Sequence, residues 1–346
     1  MQIIGFDAGN SESTLTWKAG AAQRHATLPS FVGTGRLEEL QRVRSASGNG
    51  GLGKEEIVLH YEGMPYFVGK LAIEESRDAD SARNDVSRYW TGHTLRLLLS
   101  LAAHANVGGT VRVMTGLPIS AWTAENKRKV QQSLCGAHRY SVNGKERSLT
   151  IDAVGVMMEG AAALASYEAA PDVPQAVIDV GGRTTDLFWA RGVKPVTRLC
   201  SAEEIGVEKA GDLLRDGTLA AHKRELSPQE IRDTLRAHAT QSAPPRIFKG
   251  GKEIVLNGAI DAAIDAVGQQ LVSYVSRQWG DDRGSVAGNA AKVLLIGGGA
   301  YYFSATLKAV IPHLETARNP DLANALGYLA IGLSASEEAW ARNRGV

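Results

Sequence analysis

Short apolar runs alternate with longer amphipathic stretches along the 346-residue chain. Residues 2–6 read as a short buried strand, and the polar loop after Asp7 returns as a second strand near Thr14 to Lys18. "IVLHYEG" and "MPYFVGK" (57–70) predict a hairpin, "TLRLLLSLAAHANV" (94–107) a helix, "TVRVMTGLPIS" (110–120) a buried strand running into a loop, and 122–134 another helix. "AVGVMMEGAAALASYEA" (153–169) has no breaker after Gly160 and predicts entry into a helix near Glu159. Strands at 176–180 and 184–190 follow, then a helical region from Glu203 to about Ala221. In "SPQEIRDTLRAHA" (227–239), Ser227 is an N-cap, Pro228 the first helical position and Glu230 the third. A loop and hairpin at 243–257, a long helix at 257–279, a buried strand ending in glycines at 292–299 and a last helix from about Leu322 to Ala341 complete the pattern. Strands alternating with helices predict an α/β architecture with helix-covered sheets.

One pattern is written twice. "IIGFDAGNSESTL" (3–15) and "VIDVGGRTTDLFWA" (177–190) each run apolar strand, Asp, small residue, Gly, polar loop, return strand. Asp7 and Asp179 stand 172 residues apart (179 − 7), half of the chain, so two half-molecules are expected. Ligands of α/β folds gather at the carboxyl ends of strands, where both aspartates fall. A carboxylate there, followed by Gly and small polar residues, can hold hydrated Mg²⁺ while backbone N–H groups contact phosphate oxygens. An Asp-x-Gly turn occurs in many ordinary loops; recurrence at half the chain length favours function. "LLIGGGA" (294–300) permits positive φ and close approach of a flat ligand or phosphate, without the G-x-G-x-x-G spacing of a dinucleotide fingerprint. "GNGGLGKE" (48–55) matches part of a phosphate-binding loop, but Glu55 stands where Ser or Thr should ligate Mg²⁺, and the flanking elements are wrong. Lys54 is read as solvated.

Composition narrows the function classes. Lys and Arg total 38 against 37 Asp and Glu, which leaves no broad positive field for wrapping nucleic acid or an anionic membrane. Cys135 and Cys200 are the only cysteines, too few for a disulfide framework or thiolate metal site. No stretch reaches the roughly 18–20 apolar residues of a membrane span, and "MQIIGFD" lacks a basic leader region. A cytoplasmic protein is expected.

Five segments in order resemble the actin-like ATPase superfamily: "IIGFDAGNSEST" its first phosphate loop, "VGVMMEGAAAL" its first connecting segment, "VIDVGGRTTDL" its second phosphate loop, "LLIGGGA" its adenosine motif and "ARNPDLANALGYLAIG" its second connecting segment. "YFVGKLA" (66–72), "TGLPIS" (115–120) and "NPDLANALGYLAIG" are most similar to the ParM family of prokaryotic actins and related archaeal actins. The resemblance implies a duplicated, ribonuclease H-like two-domain fold with a nucleotide cleft between the halves. The first domain would be 1–155, with a small subdomain inserted at about 20–92 and completion by a C-terminal helix at 322–346. The second would be 156–321, with an insert at about 212–258.

The same resemblance implies ATP, or GTP, with Mg²⁺. Asp7 and Asp179 would hold the ion through water. Gly9, Asn10 and Ser11, with Gly181, Gly182, Arg183 and Thr184, would line the phosphates. Glu159 matches the residue that orients the attacking water, and phosphoryl transfer asks for positioning more than for a strong base. A helix N-terminal carboxylate satisfied by the macrodipole is its structural alternative. Gly297, Gly298 and Gly299 would approach the adenosine, and Glu208 and Lys209 the base and ribose. Thr14 stands where many relatives carry a phosphate-loop Lys, so slow turnover is expected, with Arg183 as a substitute cation. The function implied is a nucleotide-driven filament, self-assembled, reaching DNA cargo through a DNA-binding adaptor, with no direct nucleic-acid or membrane contact. A small-molecule kinase of the same superfamily and a non-hydrolysing nucleotide-dependent regulator are the alternatives.

Overall fold

The computed structural model describes residues 1–46, 52–53, 55–76, 78–79, 85–167, 172–192, 194–280 and 286–344. Lys54 and most of the glycine-rich stretch at 48–55 lie outside the described residues. The chain divides into two units, Met1–Ser166 with Asn324–Val346, and Tyr167–Ala323.

The first unit contains β1 (Gln2–Ala8), β2 (Glu12–Ala19), β3 (Ala22–Pro29), β4 (Val32–Gly33), α1 (Leu37–Ala46), β5 (Glu56–Tyr61), β6 (Met64–Gly69), α2 (Lys70–Glu75), α3 (Gly92–His104), β7 (Gly109–Leu117), α4 (Ala124–Leu134), β8 (Gly136–Val142), β9 (Lys145–Met158) and α5 (Ala161–Ser166). Its strands form one nine-stranded sheet in the order β3-β2-β1-β7-β9-β8-β5-β6-β4. β1, β7 and β9 are parallel neighbours, and the strands outside them pair antiparallel. The region 20–92 continues the main sheet, β3 extending one edge and β4 to β6 the other through β8, and it carries a small core cluster of its own in which Phe31, Val58, Phe67 and Leu71 are buried together.

The second unit contains β10 (Pro174–Val180), β11 (Thr185–Arg191), β12 (Lys194–Pro195), β13 (Ser201–Glu203), α6 (Val207–His222), α7 (Pro228–Ala239), β14 (Ile247–Lys249), β15 (Lys252–Ile254), α8 (Asn257–Trp279), β16 (Lys292–Ile296), α9 (Ala300–Val310) and β17 (Leu314–Thr316). β10, β16 and β17 are parallel neighbours, and β11 returns antiparallel to β10. The capping box predicted at Ser227 and Glu230 forms, with Ser227 Oγ accepting from Glu230 N–H and the Glu230 carboxylate from Ser227 N–H. The helix expected from Glu203 starts later, because Ser201–Glu203 is taken as a strand by the edge of β11. The segment 212–258 supplies Leu214, Leu226, Ile247 and Leu256 to the core of the unit, shared with Val267, Leu271 and Phe303, so it is part of that core.

The chain then returns to the first unit with α10 (Ala323–Ser334) and α11 (Glu337–Ala341). The single last helix expected at 322–341 is two, because Ser336 caps α11 by accepting from Ala339 N–H. β7 shows why both faces of the sheet are covered. Val111 and Val113 point to the core shared with α3 (Leu97, Leu98, Leu101), while Met114 points to Tyr328 and Trp340 of the returning helices. Arg112 lies on that second face, 5% exposed; it donates to both carboxylate oxygens of Glu337 at 2.7 Å and to Asp152 at 3.2 Å. The division of the chain falls at Ser166/Tyr167, not at 155/156, because β9 runs on to Met158 and α5 packs against α10. Among the described residues, no helix is long and apolar enough to cross a membrane.

α5 and α10 meet backbone to backbone: a Cβ on Gly327 would stand 2.0 Å from the Ala162 carbonyl oxygen. Gly327→Ala should therefore destabilise the first unit by about 1–3 kcal/mol through overpacking. The check is the urea midpoint of the variant against the parent protein, followed by tryptophan fluorescence.

Candidate functional site

In the first unit, Asp7 and the turn after Leu117 stand at the carboxyl ends of β1 and β7, and Glu159 follows the end of β9. The register aligns Phe6 with Thr115 and Leu117 with Met158, so all three fall on one edge of the sheet. Gly9 is obligatory, since a Cβ there would stand 2.3 Å from the Glu12 carbonyl oxygen. The loop of Gly9, Asn10 and Ser11 is tied by its carbonyls. Gly9 O accepts from Ser30 Oγ at 2.6 Å and from Arg88 at 3.2 Å, Ala8 O from Arg88 at 2.7 Å, and Ser11 O from Ser30 N–H at 3.0 Å.

Glu159 sits between β9 and α5 with its N–H bonded to Leu117 O at 2.9 Å. Its carboxylate accepts from Tyr89 Oη at 3.3 Å, and the N–H of Gly160, at φ 81°, donates to the buried Asn324 side chain at 3.1 Å. The two segments expected to be connecting segments thus touch at Gly160–Asn324 and Ala162–Gly327. Arg88, Tyr89, Ser30 and Asn324 were not singled out from the sequence.

In the second unit, Asp179 ends β10 beside the loop Gly181–Thr184, which closes with Gly181 N–H on Thr184 O at 2.9 Å. This loop rests on the N-terminus of α6: Val207 N–H donates to Gly181 O at 3.2 Å and Glu208 N–H to Gly182 O at 2.7 Å. Gly206 permits the contact, because its Cβ would stand 2.4 Å from Gly182 O. Gly297, at φ 82°, is pressed against Val180 and the Asp179 carboxylate, with Gly299 N–H on Val180 O at 2.8 Å; at Gly298 a Cβ would meet open space. Asp179, Gly181 to Thr184, Glu208 and Gly297 to Gly299 are therefore one constellation.

Two predicted residues have neighbours outside this constellation. Lys209 lines a cavity of about 460 Å³ with Glu204, Ile205, Gln270, Ser273 and Arg277. Arg183 reaches Glu204 at 3.4 Å, a largely exposed pair of the kind that contributes little and opens readily.

Asp179 faces Asp186 across the β10–β11 pair, and the two are 9% and 3% exposed. Like charges directly opposed are unfavourable, and a nearby cation would relieve them. Beside Asp186, burial pushes the Tyr274 phenol up to about 12, against a lowering by its 2.7 Å bond to Ser201, so it stays protonated at neutral pH. Among the described residues no three His, Cys, Asp or Glu side chains converge as a metal-binding group. Single carboxylates of this kind suit Mg²⁺, which keeps most of its water.

Thr14 is 4% exposed and its hydroxyl is 3.0 Å from that of Thr27 on β3. Thr14 is thus half of a buried hydroxyl pair within the sheet.

Comparison with known proteins gives a consistent result. A family model of actin-like protein N-terminal domains matches residues 5–161, and one of archaeal MreB-like actin homologues, C-terminal, matches residues 177–309. No curated protein sequence matches the chain. Among solved structures, an archaeal actin homolog (Ta0583) is 16% identical with a TM-score of 0.76, covering 97% of this chain and 100% of its own. A ParM from a 15-stranded Clostridium botulinum filament is 17% identical with a TM-score of 0.75, covering 96% and 99%. Bacillus thuringiensis ParM with ATP is 15% identical with a TM-score of 0.66, covering 96% and 98%.

Thr14→Lys is expected to lower stability by about 1–3 kcal/mol, because it places an ammonium among strand neighbours and leaves the Thr27 hydroxyl without this partner. Thermal unfolding of the variant at neutral pH, with Thr14→Val as the uncharged comparison, measures the charge contribution.

Proposed function

We propose, from the match of residues 5–161 to actin-like protein N-terminal domains and of 177–309 to the C-terminal domain of archaeal MreB-like actin homologues, that the chain is an actin-like protein of ParM type, a nucleotide-driven filament protein that binds and slowly hydrolyses ATP with Mg²⁺. The observation that carries this reading is the recurrence of one device in both units: a strand-end aspartate followed by a glycine loop whose carbonyls are tied inward. A trans peptide holds its N–H opposite its C=O. Each loop thus turns N–H groups away from its anchor, the arrangement that receives phosphate oxygens. The recognised ATP-bound relative, Bacillus thuringiensis ParM, supports ATP as the nucleotide, with GTP as the second candidate.

In this reading Asp7 and Asp179 are the residues that would hold hydrated Mg²⁺, and the ion would supply charge neutralisation at the phosphates. Gly9 to Ser11 and Gly181 to Thr184 bind phosphate. Glu159, held by the Tyr89 hydroxyl, orients the attacking water. Gly297 to Gly299 receive the adenosine, with Glu208 in the first turn of α6 and Lys209 one residue further toward the base and ribose. The Clostridium botulinum ParM filament supports self-assembly. Head-to-tail contacts that do not close generate such filaments, and nucleotide binding would favour the assembling conformation. With 38 basic against 37 acidic residues, a DNA cargo would be reached through a separate DNA-binding adaptor. The site of action is proposed to be the cytoplasm.

Right-angle light scattering after addition of ATP and Mg²⁺, with phosphate release followed in the same sample, tests the reading. A concentration-dependent rise that decays as ATP is consumed is expected. A flat trace with ATP bound would replace the filament by a kinase or regulator. Asp179→Ala should bind ATP–Mg²⁺ at least about tenfold more weakly, roughly 1.4 kcal/mol, as read by displacement of a fluorescent ATP analogue.

A further inference from the structure

We propose that Arg88 and Tyr89 form a positioning relay between the first phosphate loop and Glu159. The inference rests on the nucleotide-binding reading above. Its starting point is a difference between the two loops. In the second unit the loop carbonyls are held by backbone N–H groups at the N-terminus of α6, Val207 to Gly181 O and Glu208 to Gly182 O. In the first unit, counted from the aspartate, Gly9 O corresponds to Gly181 O and Ala8 O to Val180 O, which accepts from Gly299 N–H at 2.8 Å; here both are held by the guanidinium of Arg88, at 3.2 and 2.7 Å. A side chain does there what a helix end does in the other half.

Arg88 is 2% exposed, and a charge so buried is tolerated only where its donors are satisfied. Besides the two carbonyls, it donates to Tyr89 Oη at 2.9 Å, and its guanidinium carbon lies 4.3 Å from the centre of the Tyr89 ring. The phenol, accepting from Arg88, donates its proton to Glu159 Oε1 at 3.3 Å. Every bond in the chain runs from donor to acceptor in one direction: guanidinium to loop carbonyls and phenol, phenol to carboxylate. The segment that carries both residues is itself fixed, with Asp85 capping Ser87 N–H and the Thr94 hydroxyl donating to Arg88 O at 2.7 Å.

Two consequences follow. Bonding Ala8 O and Gly9 O toward Arg88 turns the N–H groups of Gly9 and Asn10 to the opposite side of their peptide planes. The Tyr89 hydroxyl holds one oxygen of Glu159 and with it the orientation of the carboxylate. Arg88 therefore governs nucleotide affinity and Tyr89 governs hydrolysis. A lysine at position 88 could keep the charge but not the fork that reaches two carbonyls and a phenol together.

The test uses Arg88→Lys, Tyr89→Phe, Glu159→Gln and the double variant Tyr89→Phe/Glu159→Gln in the full chain. Tyr89→Phe should lower single-turnover ATP hydrolysis about tenfold while the ATP dissociation constant stays within about twofold, and should add nothing in the Glu159→Gln background. Arg88→Lys should weaken ATP about tenfold, and in the nucleotide-free protein should raise amide hydrogen exchange in 8–13 while leaving α3 unchanged. Equal losses from Tyr89→Phe with and without Glu159, or unchanged exchange at the loop in Arg88→Lys, would overturn the relay. Failure of the parent protein to bind ATP would instead overturn the nucleotide reading, with the exchange measurement still deciding whether Arg88 holds the loop.

Discussion

Parallel pairing of the first strand of each unit with a later one is the constraint from which the site descends. β1 cannot pair in parallel with β7, nor β10 with β16, unless the intervening chain crosses back over the sheet. Each crossover returns the chain in the same direction, so the reversals that follow β1, β7 and β9 all gather on one edge, as do those after β10, β16 and β17. Asp7 and Glu159, 152 positions apart (159 − 7), become neighbours on an edge for that reason, and so do Asp179 and Gly297. The local sequence then needs only glycines where backbones touch and short polar side chains elsewhere.

Much of this was legible because it is local. Strand, aspartate, glycine loop and return strand form a contiguous pattern, and its repetition marked Asp7 and Asp179. The apolar run into the glycines at 297–299 was equally plain. What escaped is held by tertiary contact. Arg88 and Tyr89 lie in a polar stretch with no periodicity, and their meaning comes from carbonyls about 80 positions away. Asn324 reads as an ordinary helix residue until its side chain is seen on Gly160 N–H. β3, with half its residues exposed at the sheet edge, carries too little apolar signal to be separated from a loop. The last helix read as continuous because the apolar period runs across Ser336, where a side-chain cap restarts the chain direction. Asp186 carries no signal in the sequence because a carboxylate on a return strand is ordinary, and only the register puts it opposite Asp179.

The two halves also illustrate how a repeated motif diverges. Both loops require something to hold their carbonyls. One uses the exposed amides of a helix start, which any sequence with a glycine at the approach can provide. The other uses side chains, Ser30 and Arg88, which must be specified individually. Thr14, the departure visible in the sequence, sits in the sheet bonded to Thr27, away from this arrangement of carbonyl and guanidinium.

The return of residues 324–346 to the first unit, clamped by Glu337 on Arg112 and by the buried Trp340, bears on the order in which the chain matures. Residues 167–323 are contiguous and can complete their core as soon as they are synthesised. The first unit starts earlier and finishes later: until α10 and α11 emerge, the face of β7 that carries Met114 lacks the cover of Tyr328 and Trp340. A released chain that ended near residue 323 would therefore have a complete second half and an unfinished first, with part of a hydrophobic sheet face open to chaperones or to neighbouring chains.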